Sequence, residues 1–242
     1  SDYLEGLEYE SYRKKVINRL APLIQEEINK TQDLKIYPPQ MVDFFAYRVY
    51  KTIINLVSIE AENYKKAKKR TVPMYYEWCF GYDNKNSFMI DTRVGKISLR
   101  GRIDRIDVSQ AKKQFAVIDY KTGSYASVAD MRAGKSLQLP IYLMAIKEIL
   151  FPEGTPTGAY YYVLKTNDIK GFTIKDTIDA DLMHVRSQLS WSSWQDMQEA
   201  ARHSVSQAIQ GIHEGRFDPL PQSEQLCRFC DYKKICGFSR RA

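Results

Sequence analysis

Gly101-Arg-Ile-Asp-Arg-Ile-Asp107, followed by Ala116-Val-Ile-Asp-Tyr-Lys-Thr-Gly123, is the stretch that decides how this chain folds and where its chemistry sits. Ile97, Leu99, Ile103 and Val108 give the first segment the apolar pattern of a strand within a sheet. Ala116 to Ile118 make a second apolar run that ends at Asp119 and Lys121. Side chains alternate along a strand, so Asp119 and Lys121 share a face. Antiparallel pairing of the two strands lets Asp104 and Asp119 converge, with Lys121 beside them.

Two carboxylates brought together repel and lose hydration unless a cation joins them. Oxygen donors suit Mg²⁺ or Mn²⁺ better than zinc. A divalent cation there acidifies water and offsets charge on a phosphodiester, while Lys121 orients the nucleophile or stabilises developing charge. That is nuclease chemistry. The plainer alternative pairs Asp104 and Asp107 with Arg102 and Arg105 as strand-surface charges, and makes Asp119 to Lys121 a strand ending in a turn.

On the N-terminal side, from Leu4 to about Lys69, apolar residues recur at helical spacing: Tyr12, Val16, Leu20 and Ile24, then Val42, Tyr47, Tyr50, Ile53, Ile54 and Val57. Pro38-Pro39 divides this region into two helices. Lys65 to Arg70 place five basic residues among six, as a solvated helix end or a phosphate-binding patch. After Pro73, β-rich runs at Met74 to Phe80, Ser87 to Ile90, Lys96 to Val108 and Gln114 to Tyr120 predict a meander. Leu137 to Leu150 reads as a buried helix, Gly158 to Lys165 and Phe172 to Ile174 as strands, and Asp179 to Gly215 as a long last element with Gly215 as its cap. The expected fold is α/β, a central mixed sheet flanked by helices. Three parts are expected: a helical part over 1–72, a core over 73–218 and a cysteine-rich segment over 219–242.

With 242 residues, 44% hydrophobic and 27% charged, the chain can bury a substantial core without covalent staples, which excludes a disordered tail or a mini-scaffold. Lys plus Arg number 36 against 29 for Asp plus Glu, and the net charge of +7 favours a polyanionic partner. No run approaches the length of a membrane helix and no leader opens the chain, so we expect a soluble, cytoplasmic protein. The opening Ser1-Asp2-Tyr3 suggests a piece of a longer chain. No GxxxxGK[ST] sequence is present to power a motor.

The order GRIDRID, VIDYKTG and then Gln138-Leu-Pro-Ile-Tyr142 resembles the RecB-like branch of the PD-(D/E)XK nucleases, nearest to the nuclease domain of AddB/RexB-type subunits of bacterial helicase–nuclease complexes. The resemblance covers roughly Pro73 to Phe238. It implies a restriction-endonuclease-like core, with Asp104, Asp119 and the Tyr120 carbonyl holding Mg²⁺ or Mn²⁺ and Lys121 catalytic. Gln138 and Tyr142, on one helix face, would lie beside the scissile strand. Otherwise they are a capping Gln and a packing Tyr. Glu77, in Tyr76-Glu-Trp-Cys-Phe-Gly81, matches an E-x-x-F-G pattern and is a further ligand candidate, or pairs with a nearby Lys or Arg. Many RecB-like nucleases carry a His before the first strand, whereas the first His here is His184. That ligand is absent, replaced by Glu60, Glu62 or Glu77, or the site is weakened. The implied function is exonucleolytic hydrolysis of DNA, of single strands delivered by a helicase partner, in double-strand break repair. The rivals are an inactive DNA-binding or structural module and a stand-alone Cas4-like exonuclease.

Cys227-Arg-Phe-Cys-Asp-Tyr-Lys-Lys-Ile-Cys236 gathers three thiolates, too few by themselves to complete either a zinc site or an iron–sulfur cluster. The segment resembles the [4Fe-4S] staple of the same nucleases, in which a distant upstream Cys completes the cluster. Cys79 is the remaining cysteine and is either that fourth ligand or a buried strand thiol. The run Tyr160-Tyr-Tyr162 alternates between core and surface or stacks on bases. Trp191 and Trp194 are read as helix-packing residues. His184, His203 and His213 form no zinc-hydrolase pattern.

Overall fold

A computed structural model describes residues 9–66, 71–82, 86–109, 114–177, 185–219, 221, 227–228, 230–236 and 238. His184 and the side chains of the basic run at 65–70 lie outside the described residues. Two helices open the fold, α1 (Tyr9–Lys30) and α2 (Pro39–Lys66). The break between them starts earlier than the prolines, with a 3₁₀ turn over Gln32–Ile36. Pro39 is the first residue of α2, where its missing N–H costs nothing and its ring presets the helical φ.

The strands are β1 (Thr71–Phe80), β2 (Phe88–Thr92), β3 (Gly95–Leu99), β4 (Gly101–Ser109), β5 (Gln114–Lys121), β6 (Thr155–Val163), β7 (Asp168–Ile174) and β8 (Ser187–Leu189). Six of them form one sheet in the order β1-β4-β5-β6-β7-β8, and β2-β3 form a separate hairpin. The expected meander is corrected here: the run from Lys96 to Val108 splits at Arg100, its first half pairing with β2 and its second half with β1 and β5. β5 and β6 run parallel, so the chain must cross the sheet between them. It does so through α3 (Val128–Arg132) and α4 (Gln138–Ile149). The sheet is therefore mixed and flanked by helices, as the sequence predicts.

One face of the sheet carries the main core. Ile106, Val108, Phe115, Val117, Ala159 and Tyr161 pack there against Leu139, Leu143 and Ile146 of α4, and against Trp194, Met197 and Ala201 of α5 (Trp191–His213). On the reverse face, Ala116, Ile118, Tyr160 and Tyr162 meet Leu56 of α2. Coverage on both faces corrects the reading of Tyr160 to Tyr162: all three are buried, because β6 is an interior strand with no solvent side. Trp194 is buried against Phe172, with ring centroids 5.8 Å apart, whereas Trp191 is largely exposed. The single long element expected from Asp179 is corrected, since strand β8 occupies Ser187–Leu189 and α5 starts only at Trp191; its end is capped as expected by Gly215, whose φ of 69° lets the Arg216 N–H reach back to the Gly211 carbonyl.

Candidate active site at the end of two strands

The β4–β5 register pairs Arg105 with Ile118, so one step further along both strands Asp104 comes opposite Asp119. Asp104 Oδ2 accepts a 2.9 Å hydrogen bond from the backbone N–H of Tyr120, which ties the two strand ends together. Asp119 and Lys121 leave the same face of β5, and Lys121 Nζ lies 2.6 Å from Asp119 Oδ2. Gln138, the first residue of α4, completes the group. Its Nε2 donates to Asp119 Oδ1 at 2.7 Å and its Oε1 accepts from Lys121 Nζ at 3.0 Å. Tyr142, one turn on, lies with its hydroxyl 3.4 Å from Gln138 Nε2.

The side chain of Asp119 is only 4% exposed, that of Lys121 27%. Burial pushes the Asp119 carboxyl above the usual carboxylate range, against the pull of the Lys121 ammonium, and the charge of Asp104 adds to the rise. For Lys121, burial favours the neutral amine, but Asp119 outweighs it and holds the ammonium above its ordinary value. Lys121 Nζ also sits 5.3 Å from the centroid of the Tyr161 ring, a cation–π contact that spacing along the chain does not reveal.

Small residues make this convergence fit. A Cβ on Gly101 would stand 2.7 Å from the Phe80 ring and 3.2 Å from the Tyr142 ring, so the glycine that opens β4 lets both aromatics close over it. Phe80 and Tyr142 meet edge to face at 6.1 Å. The three sequence motifs thus touch at one point.

Several expectations are corrected. Glu77 pairs with Arg102 at 2.9 Å on an exposed rim, both side chains being mostly in solvent, and does not join Asp104 and Asp119. Glu60 is engaged elsewhere, with Arg105, on the reverse face of the sheet, and Glu62 is exposed. Cys79 is exposed, not a buried strand thiol, its Sγ 3.6 Å from the Glu77 carbonyl. Cys227, Cys230 and Cys236 are free thiols, and among the described residues no group of three or more His, Cys, Asp or Glu side chains is placed to hold a metal.

A divalent ion bound by two carboxylates and a carbonyl fits the donors better. Asp119 Oδ2 is buried, and the partner it has is the Lys121 ammonium at 2.6 Å. Asp104 and Asp119 are close enough for their charges to oppose each other with one ammonium between two carboxylates, a donor set that suits a hard divalent cation.

Sequence reasoning passes over Arg105 as a site residue. It is buried, and grips Asp107 with two hydrogen bonds of 2.6 and 2.8 Å while its Nη1 reaches the Tyr120 hydroxyl at 3.0 Å. The signal is present in the sequence, since period two places Arg105 and Asp107 together on the face opposite Asp104.

The family model of the PD-(D/E)XK nuclease superfamily matches residues 5–237, a span that takes in the N-terminal helices as well. The chain is similar to a subunit of the ATP-dependent helicase/deoxyribonuclease of Carboxydothermus hydrogenoformans, with 26% identity over 80% of this chain and 22% of that protein. It is 23% identical to the protein of the same name from Caldanaerobacter subterraneus subsp. tengcongensis, over 97% of this chain and 25% of that protein. The Gene 69 protein of Mycobacterium phage D29 is 31% identical over 58% of this chain and 43% of that protein. The chain spans about a quarter of the length of the two bacterial relatives.

Proposed function

The chain belongs to the PD-(D/E)XK nuclease superfamily, and from that premise we propose that it is a Mg²⁺- or Mn²⁺-dependent deoxyribonuclease domain. It acts as an exonuclease on DNA single strands that a helicase partner delivers during double-strand break repair in the bacterial cytoplasm. The names of the bacterial relatives support the helicase association, and the net charge of +7 supports a polyanionic substrate. Among the described residues no helix is long and apolar enough to cross a membrane. The observation that carries the reading is the convergence of Asp104, Asp119, Lys121 and Gln138 at the adjoining ends of β4 and β5, with the Asp119 carboxylate buried.

In this mechanism Asp104, Asp119 and the Tyr120 carbonyl would hold the cation. Bound there, it supplies Lewis acidity, making water a stronger acid and offsetting phosphate charge. Asp119 is kept in place from both sides, by Gln138 on Oδ1 and Lys121 on Oδ2. Lys121 stays protonated at working pH because Asp119 holds its affinity for the proton up, so its ammonium is a fixed positive charge for an oxygen of the scissile phosphate. As water adds to phosphorus the bond to the leaving oxygen breaks, the water losing a proton to solvent and the leaving oxygen gaining one, and the negative charge on the phosphate oxygens that Lys121 faces is greatest as that bond breaks. Tyr142 and Gln138 line the approach of the strand. We assign residues 73–218 to the nuclease core, 1–72 to a helical arm and 219–242 to the cysteine-rich segment.

End-labelled single-stranded and duplex DNA incubated with the purified chain, with Mg²⁺ or Mn²⁺ or with chelator, beside the folded Lys121→Ala variant, tests the proposal. Cleavage that requires both metal and Lys121 is expected. A folded wild-type chain that binds DNA without cutting it overturns the enzyme in favour of a binding module.

A further inference from the structure

Asp104 and Arg105, neighbours on β4, grip the same residue of β5 from opposite faces of the sheet. In front, Asp104 Oδ2 holds the Tyr120 backbone N–H at 2.9 Å. Behind, Arg105 Nη1 donates to the Tyr120 hydroxyl at 3.0 Å. The guanidinium is itself locked, by two hydrogen bonds that it donates to Asp107 and by an ion pair with Glu60 of α2. Tyr120 thus has neither its backbone nor its ring free to move.

Resting on the nuclease reading above, we propose that Glu60, Arg105 and the Tyr120 hydroxyl are positioning residues. They form a clamp behind the sheet that fixes the Tyr120 carbonyl and the Asp104–Asp119 separation for the divalent cation. The physical case has three parts. Tyr120 is one of the proposed ligands through its backbone, and a residue pinned at both its N–H and its hydroxyl leaves the strand less freedom to twist at that carbonyl. The Arg105 side chain is 9% exposed, and such a charge keeps its geometry only while its carboxylate partners stay in place. Glu60 comes from a helix 45 residues away in the chain, so the helical arm over 1–72 becomes part of the site instead of a separate support. Tyr162, buried on the same face, packs its ring 6.0 Å from that of Tyr120, so an aromatic side chain fills the space beside the clamp.

The test is direct Mn²⁺ binding to the whole chain, by titration calorimetry or by loss of the free-ion electron paramagnetic resonance signal, with no DNA present. Tyr120→Phe removes only the hydroxyl, and Glu60→Ala removes only the helix's carboxylate. Both are expected to weaken Mn²⁺ binding by about tenfold or more, as supports behind metal ligands do. Glu60→Gln, which keeps an acceptor for Arg105, is expected to restore most of the affinity. Cleavage by Glu60→Ala should recover toward wild type at saturating Mn²⁺. A purely structural role would lower the unfolding midpoint and leave Mn²⁺ affinity of the folded protein unchanged, and that result overturns the proposal. Failure of the wild-type chain to bind Mn²⁺ at all overturns the nuclease reading and the clamp together, whereas normal wild-type binding with unaffected variants overturns the clamp alone.

Discussion

Lys121 Nζ stands 2.6 Å from Asp119 Oδ2, the two side chains leaving one face of β5 two residues apart. This ion pair joins the group that would neutralise a phosphate to a group that would hold the cation. Lys121→Ala and Asp119→Asn are each expected to reduce metal-dependent DNA cleavage by about 10²–10³-fold. Circular dichroism should show both variants folded. Cleavage within a few-fold of wild type in either variant would remove that residue from the chemistry.

Gln138 is expected to matter for a different reason. It touches Asp119 and Lys121 at once and holds them in register without carrying charge. Gln138→Ala should lower cleavage by roughly tenfold or more and should raise the metal concentration needed for half-maximal rate. A change confined to DNA affinity would mean that Gln138 contacts the strand and leaves the carboxylate alone.

Ser127 caps α3, accepting the Asp130 N–H at 3.0 Å while its hydroxyl donates to Asp130 Oδ2 at 2.6 Å. That hydroxyl holds the exposed Asp130 carboxyl below its ordinary value. A carboxylate depressed in the folded state stabilises above its unfolded pKa and loses that contribution as pH falls through the folded one. Ser127→Ala should therefore lower stability at neutral pH, and the difference from wild type should narrow on acidification through the Asp130 range. Urea melts at neutral and acid pH measure it. An equal difference at both would show that the carboxylate has no part in the cap.

Gly171 lies in β7 at a φ of 125°, and a Cβ there would stand 2.1 Å from the Ala159 carbonyl oxygen. Neither the backbone conformation nor the facing strand can yield easily. Gly171→Ala should destabilise by at least about 1–3 kcal/mol from the backbone term, with the steric clash added. Unchanged thermal stability would show that β6 and β7 can separate at this point.

Glu77 and Cys79 are expected to be quiet. Glu77 makes an exposed ion pair with Arg102, and Cys79 is exposed with one weak contact. Glu77→Gln and Cys79→Ser should each leave stability within about 1 kcal/mol and leave the metal requirement of cleavage unchanged. A higher metal requirement in Glu77→Gln would return Glu77 to the ligand set.

Legibility from sequence divides along the range of the interactions. The pairing of Asp104 with the Asp119–Lys121 end of β5 is readable, because period two and an antiparallel partner are local rules. The helix beginning near Gln138 and the cap at Gly215 are readable for the same reason. The split of the Lys96–Val108 run into β3 and β4 is not, since Arg100 has no turn signature and each half chooses its partner across the fold. Cys79 misleads because its strand is at the edge of the sheet, where an apolar-looking position faces solvent.

Residue pattern alone settles the α/β class, the face shared by Asp119 and Lys121, and the motif order that identifies the superfamily. These follow from alternation along a strand and from residue types whose chemistry does not depend on distant neighbours. It takes the packed fold to hold Glu77 on the rim, to bury Tyr160 to Tyr162 on both faces, and to bring Glu60 to Arg105 behind the site. Each of those depends on which element covers which side of the sheet. That choice is made by packing between segments far apart in the chain, where no local period carries the information.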